Sequence, residues 1–95
     1  MLIKTPAQPN DTVSLKLISG EEVIGRLIES TESDVTIRKP MAFLMGPQGL
    51  GLVPFMFSAT ETDQISIKVN AVVSMAKTDE NVSKQYIKQS TGLLT

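Results

Sequence analysis

The chain has 95 residues, with nine basic and ten acidic side chains, a net charge of −1, and neither cysteine nor histidine. The lack of cysteine excludes a disulfide framework and thiolate chemistry, and the lack of histidine removes the usual general base and the commonest metal ligand. A charge so near neutrality excludes a positive field over the whole protein, so nucleic acid would have to be bound through a local patch or through an assembly of copies.

A chain of this length makes a single domain. Residues 1–6 lack the apolar core of a signal peptide, and we expect a cytoplasmic protein with no membrane segment. Only serine, lysine and carboxylate side chains are left for catalysis, and no spacing among them suggests an active site. We therefore expect no enzyme activity, no cofactor and no metal.

Residues 1–11 contain two prolines and an Asn-Asp pair, which predicts an extended N-terminal arm. Apolar and polar residues then alternate with the period of a half-buried strand. Gly20 lies in a turn signal, and Gly25 lies inside a strand pattern, where glycine most often marks a bulge or a sharp bend. The alternation predicts strands over residues 12–19, 22–30 and 34–45.

Residues 41–57, the apolar hairpin, are unusual because no charged residue occurs between positions 40 and 60. All three phenylalanines and three of the five methionines lie in this segment. Its glycines and prolines interrupt what a membrane helix would need, so we predict two strands joined by a Gly/Pro turn. Such arms are too apolar to lie bare on a monomer, and a core or subunit interface is a better interpretation than a ligand pocket.

The last elements are predicted from a resumed alternation and a change of character at Thr78. Strands are expected over residues 51–59 continuing to 64–69, and over 71–76. Thr78 is the predicted cap of a helix that carries Val82 and Tyr86 on one face and stops at Gly92. The sequence thus predicts an all-β, five-stranded, strongly bent antiparallel barrel over residues 1–76, and a short C-terminal helix or tail over 77–95.

Two segments carry a resemblance to a known family. LISGEEVIGRL at residues 17–27 places its leucines, glycines and valine as the first signature of the Sm-like family does, and IKVNAVVSM at residues 67–75 resembles the second. The chain is similar to a phage-type or otherwise divergent member, because its middle segment is longer and more apolar than usual. The resemblance implies an SH3-like barrel whose edge strands pair between subunits into a homo-oligomeric ring of five to seven copies, and it implies RNA binding.

The implied RNA-binding residues are Lys68, which opens the turn before the last strand, together with Asn70 and Asp34. Family members that bind uridine-rich RNA stack a side chain on the base in the loop after the second strand. Here that loop, residues 31–34, is one residue shorter and offers nothing to stack, and Val69 replaces a usual glycine. These departures argue against the uridine pocket.

Two functional interpretations remain open. The first is a non-enzymatic Sm-like ring that binds RNA or ribonucleoprotein partners weakly. The second is a structural or adaptor module, in keeping with a phage-type member, that presents the apolar hairpin to a protein partner. Gly20 and Gly25 are predicted to be structural, and the predicted subunit-interface residues are Ile65, Ile67, Val72, Val73, Phe55 and Phe57.

Overall fold

The structure is a computed structural model that describes residues 2–3, 7–56 and 64–90. It is mostly β-structure with one short C-terminal helix, as predicted. The elements in chain order are β1 (Leu2–Ile3), β2 (Thr12–Leu17), β3 (Glu22–Ser30), β4 (Asp34–Gly46), β5 (Gly49–Pro54), β6 (Gln64–Lys68), a 3-10 turn (Val69–Ala71), β7 (Val72–Lys77) and α1 (Glu80–Ser90).

The strands form one sheet in the order β1-β7-β2-β3-β4-β5, with β6 also paired to β4. All pairings are antiparallel except that of β1 with β7, which is parallel. β5 and β6 lie end to end on the edge of β4 that β3 leaves open, so they occupy the place of the single long strand predicted over 51–59 and 64–69. Residues 57–59 of that prediction lie outside the described residues. No ladder joins β6 to β7 in the described part of the chain, and the sheet is not closed there.

The core lies on one face of this sheet, where the predicted alternation places its apolar side chains. Val13 and Leu15 of β2 are fully buried, as are Val35 and Ile37 of β4. Met75 of β7 is nearly so. Burying such side chains is the main favourable term in folding, so the alternation and the burial have one physical cause.

Two bulges bend the β3–β4 pair. Ile28 of β3 has no partner, because Leu27 pairs with Ile37 while Glu29 pairs with Thr36. A second shift lies between the Ile24–Met41 and Arg26–Arg38 pairs, where two residues of β4, 39 and 40, face Gly25 alone. The irregularity predicted at Gly25 is therefore present, and it consists of one residue of β3 opposite two bulged residues of β4.

The helix begins one residue later than predicted, and its cap is Asp79 rather than Thr78. A side-chain oxygen of Asp79 accepts hydrogen bonds from the main-chain N–H groups of Asn81 and Val82, at 3.1 and 3.4 Å. Thr78 instead extends the β2–β7 pairing, donating its N–H to the carbonyl oxygen of Thr12 at 3.0 Å. Tyr86 is fully buried, which anchors the helix to the sheet. Gly92 lies outside the described residues.

Candidate functional site

The three residues implied in RNA binding come together at one end of the sheet. Asp34 is the first residue of β4 and pairs directly with Lys68, the last residue of β6. Asn70 follows in the 3-10 turn, which leads into β7. The N–H of Val69 donates to the carbonyl oxygen of Ser33 at 2.9 Å, so the two turns are tied to each other.

The charges of Asp34 and Lys68 offset each other. The Lys68 Nζ lies 3.2 Å from Asp34 Oδ1, with the lysine side chain 73% exposed and the aspartate 29% exposed. The Ser33 hydroxyl donates to the other carboxylate oxygen at 2.7 Å. This hydrogen bond, and then the Lys68 ammonium, lower the pKa of the Asp34 carboxyl below its ordinary value. The site is thus nearly neutral, which weakens its attraction for phosphate.

The turn over residues 31–33 is closed by its own side chains. The Thr31 hydroxyl oxygen accepts hydrogen bonds from the N–H groups of Ser33 and Asp34, at 3.2 and 3.0 Å. All three turn residues are exposed, and none has a ring that could stack on a base. These three residues therefore offer hydroxyl and carboxylate groups to solvent but no stacking surface.

The backbone at Val69 is not strained. The connection from β6 to β7 is a 3-10 turn, and neither Val69 nor Asn70 has a positive φ. A β-branched residue adopts such a conformation without the strain of a positive φ. Asn70 is exposed beside Lys68, where it is available to a ligand.

Glycine is favoured over other residues at both positions that were predicted to be structural, Gly20 and Gly25. Gly20 has a φ of +99° in the turn before β3, a conformation that side chains rarely adopt. At Gly25 a Cβ would lie 2.9 Å from Ile37 Cδ1 and 3.1 Å from the Arg38 carbonyl oxygen. A side chain there would force Ile37 or the backbone of β4 to shift.

The residues predicted at the subunit interface divide into three groups. Ile67 and Val72 belong to the hydrophobic core, while Ile65 and Phe55 are half-buried and pack against it. Val73 is exposed. The burial of these five residues follows from the face of the sheet to which each side chain points. Phe57 lies outside the described residues.

The apolar hairpin forms as predicted, and several of its large side chains are exposed to solvent. β4 and β5 pair as far as Gly46 and Gly49, and Gly49 takes a φ of +109° at the end of the turn. Leu44, Met45 and Leu50 are 59%, 72% and 53% exposed. A shallow depression of about 300 Å³ lies along the hairpin, lined in part by Leu44 and the turn. This is an exposed apolar surface without charge.

Two features of the same sheet were not predicted from the sequence. The Tyr86 hydroxyl lies 2.7 Å from the carbonyl oxygen of Lys39 and 3.1 Å from that of Arg38. In addition, Arg26 and Arg38 are direct cross-strand partners. Both contacts depend on the number of bulged residues in β3 and β4. The sequence does not indicate that number.

In the ranges that the structure describes, no three acidic side chains gather into a group suited to a metal ion. Nor does any described helix have the length and apolar character needed to cross a membrane.

Comparison with known proteins finds similarity among solved structures, where eleven chains match. No protein-family model matches the chain, and no curated protein matches its sequence. Among solved structures, a chain from the crystal structure of the NatC complex bound to CoA matches with a TM-score of 0.51 and 13% sequence identity. The match covers 82% of this chain and 87% of that one, so the two share a fold over nearly their whole lengths.

Proposed function

We propose that the chain is a divergent, non-enzymatic Sm-like module that assembles with copies of itself and presents its apolar hairpin to a protein partner. The observation that carries this proposal is the exposure of Leu44, Met45 and Leu50 on an uncharged β-ribbon. Large apolar side chains exposed together in this way are costly to leave in water and mark interaction sites on soluble proteins. Methionine among these side chains suits an adaptable contact surface.

A closed SH3-like barrel is part of this proposal. The strand order from β7 through β2, β3 and β4 to β6 runs once around such a barrel, and three residues in a 3-10 turn join its two end strands. The bulges at Ile28 and opposite Gly25 supply the bending that a small barrel needs. The first signature, residues 17–27, runs from the end of β2 into β3, and the second, residues 67–75, runs from the end of β6 into β7. This placement further supports the barrel.

The proposed assembly uses the sheet edges and has five to seven copies, a number that comes from the family resemblance. The outer edges of β5 and β6 are unpaired in the described residues, and proteins cover such edges or use them for association. The outer edge of β7 is occupied in part, since β1 pairs with Ser74 and Met75. The similar chain of known structure also belongs to a complex.

The test separates assembly from partner binding. Native mass spectrometry of the parent chain should give one closed stoichiometry of five to seven. A photo-crosslinking amino acid at position 45 should then capture a defined partner in the host, whereas the same group at position 16, exposed on β2, should not. A stable monomer that crosslinks equally from both positions would overturn the proposal.

A second candidate function is weak RNA binding at the turn that holds Lys68 and Asn70. Its support is that the two turns implied by the family resemblance lie together at one end of the sheet. The Asp34 carboxylate opposes it by offsetting the Lys68 charge. Anisotropy with labelled A-rich and U-rich RNA at low salt tests it: Lys68→Ala should abolish binding, and Asp34→Asn should strengthen it. Equal binding by the parent and both variants would place the RNA site elsewhere, and no binding by any of them would exclude this function.

A further inference from the structure

Two arginines face each other across β3 and β4, and no acidic side chain of the described residues pairs with either of them. Arg26 and Arg38 are direct cross-strand partners, and such residues have Cβ atoms about 4.5–5.5 Å apart. Their inward-pointing neighbours Leu27 and Ile37 are buried, so both arginines lie on the outer face of the sheet. Arg38 is exposed and Arg26 is half-buried.

Neither arginine has an ion pair or a side-chain hydrogen bond within the described residues. The acidic residue nearest along β3 is Glu29, which pairs with Thr36 rather than with an arginine. Like charges placed directly opposite each other destabilise a sheet. Within the described residues the two like charges are therefore uncompensated, and an anion between the two guanidinium groups would offset their repulsion.

The arginine pair sits in the middle of a polar row that crosses four strands. Thr12 of β2 pairs with Arg26, and Gln64 of β6 pairs with Arg38. Neighbouring strands lie about 4.8 Å apart, so the row is about 14 Å long. Its ends provide neutral hydrogen-bonding groups, and its centre provides two positive charges.

The backbone beneath Arg38 is held from two sides. Its carbonyl oxygen lies 3.1 Å from the hydroxyl of the buried Tyr86, and Gly25 packs flat against it from β3. A fixed backbone lowers the entropy lost when a side chain is ordered by a ligand. Arg38 is thus better prepared to bind than an arginine on a loop.

We propose that Arg26 and Arg38 form a binding site for a phosphate group. Guanidinium groups offer planar pairs of N–H donors that match phosphate oxygens, and their charge strengthens each hydrogen bond. Thr12 and Gln64 flank the bound group as neutral donors. The phosphate comes either from a nucleic-acid backbone or from the free anion. The site is separate from both the apolar hairpin and the Lys68 turn.

The test titrates the full-length, nitrogen-15-labelled chain with sodium phosphate, against sodium chloride at equal ionic strength. The side-chain Nε–Hε signals of Arg26 and Arg38 should shift and saturate with phosphate alone, and the melting temperature should rise. Arg26→Gln and Arg38→Gln should each weaken phosphate binding by about tenfold or more. Both variants should fold, because each relieves the repulsion between like charges.

Lys16→Gln is the matched control, since Lys16 is an exposed cation on the same face of β2. It should leave the phosphate affinity unchanged. Binding that survives both arginine variants, or a response that chloride reproduces, would overturn the proposal. Loss of binding on Lys68→Ala instead would also overturn it, by moving the anion to the other end of the sheet.

A second titration identifies the source of the phosphate. Labelled single-stranded RNA that competes with phosphate, with a salt slope that falls by about one for each arginine removed, assigns the site to a nucleic-acid backbone. Phosphate binding without such competition assigns it to the free anion. Absence of binding by either ligand would overturn the proposal.

Discussion

The hydroxyl of Tyr86 lies 2.7 Å from the main-chain carbonyl oxygen of Lys39, a residue of β4 whose φ is +51°. Lys39 is one of the two residues that bulge opposite Gly25. A residue other than glycine at positive φ is held there only by its surroundings. One side chain of the C-terminal helix thus secures the bend in the longest strand of the sheet.

Replacing Tyr86 by phenylalanine should lower the free energy of unfolding by about 1–2 kcal/mol, because two carbonyl oxygens lose a buried donor. Urea denaturation measures this change. Tyr86→Ala should cost more, about 3–5 kcal/mol, since it also leaves a cavity. If Tyr86→Phe unfolded at the same urea concentration as the parent, the hydroxyl would have no part in holding the bulge.

Gly25→Val should destabilise the protein by about 1–3 kcal/mol through overpacking. Its Cβ would lie 3.1 Å from the Arg38 carbonyl oxygen, which belongs to the backbone and cannot turn aside. Gly51→Val is the control, because a Cβ there meets nothing closer than 3.8 Å. Thermal melting should separate the two variants, and equal melting temperatures would contradict the close approach at Gly25.

The Asp34 carboxyl should titrate below the ordinary aspartate pKa of about 3.9. Its lowered pKa adds stability that is complete above the ordinary value and is lost as the pH falls through the folded-state value. Carbon-13 NMR of the carboxyl group measures the titration. Ser33→Ala and Lys68→Ala should each raise this pKa, because the Ser33 hydroxyl and the Lys68 ammonium both stabilise the carboxylate. A variant that left the pKa unchanged would show that its side chain has no part in lowering it.

Removing residues 1–5 should strengthen self-association if the β7 edge is a subunit interface. β1 covers that edge at Ser74 and Met75, so its loss frees main-chain hydrogen-bonding groups for a neighbouring copy. Sedimentation velocity over a range of concentrations measures the change. The shortened and parent chains would associate equally if the edge had no part in assembly, and the apolar hairpin would then be the better candidate.

Much of this architecture follows from local pattern. The alternation of Val13, Leu15 and Leu17 requires a strand with one buried face, and the other long strands were predicted within one or two residues for the same reason. The uncharged segment after Pro40 likewise predicted a paired ribbon, whereas the exposure of its apolar side chains was seen only in the structure. Local propensity predicts the end of a helix less exactly than its existence. Both Thr78 and Asp79 are good caps, and the hydrogen bond of Thr78 to Thr12 decided between them.

The candidate sites depend on contacts that the sequence does not encode locally. Without the bulge at Ile28, Arg26 would have faced Lys39 rather than Arg38, since one unpaired residue shifts every later pair. Asp34 and Lys68 are 34 positions apart, and their ion pair exists because β4 and β6 are in register. The sequence by itself determined which residues form strands and which side chains are apolar, because these are properties of neighbours along the chain. Only the tertiary structure decided which charges meet, because register and bulges are set by the packing of the whole sheet.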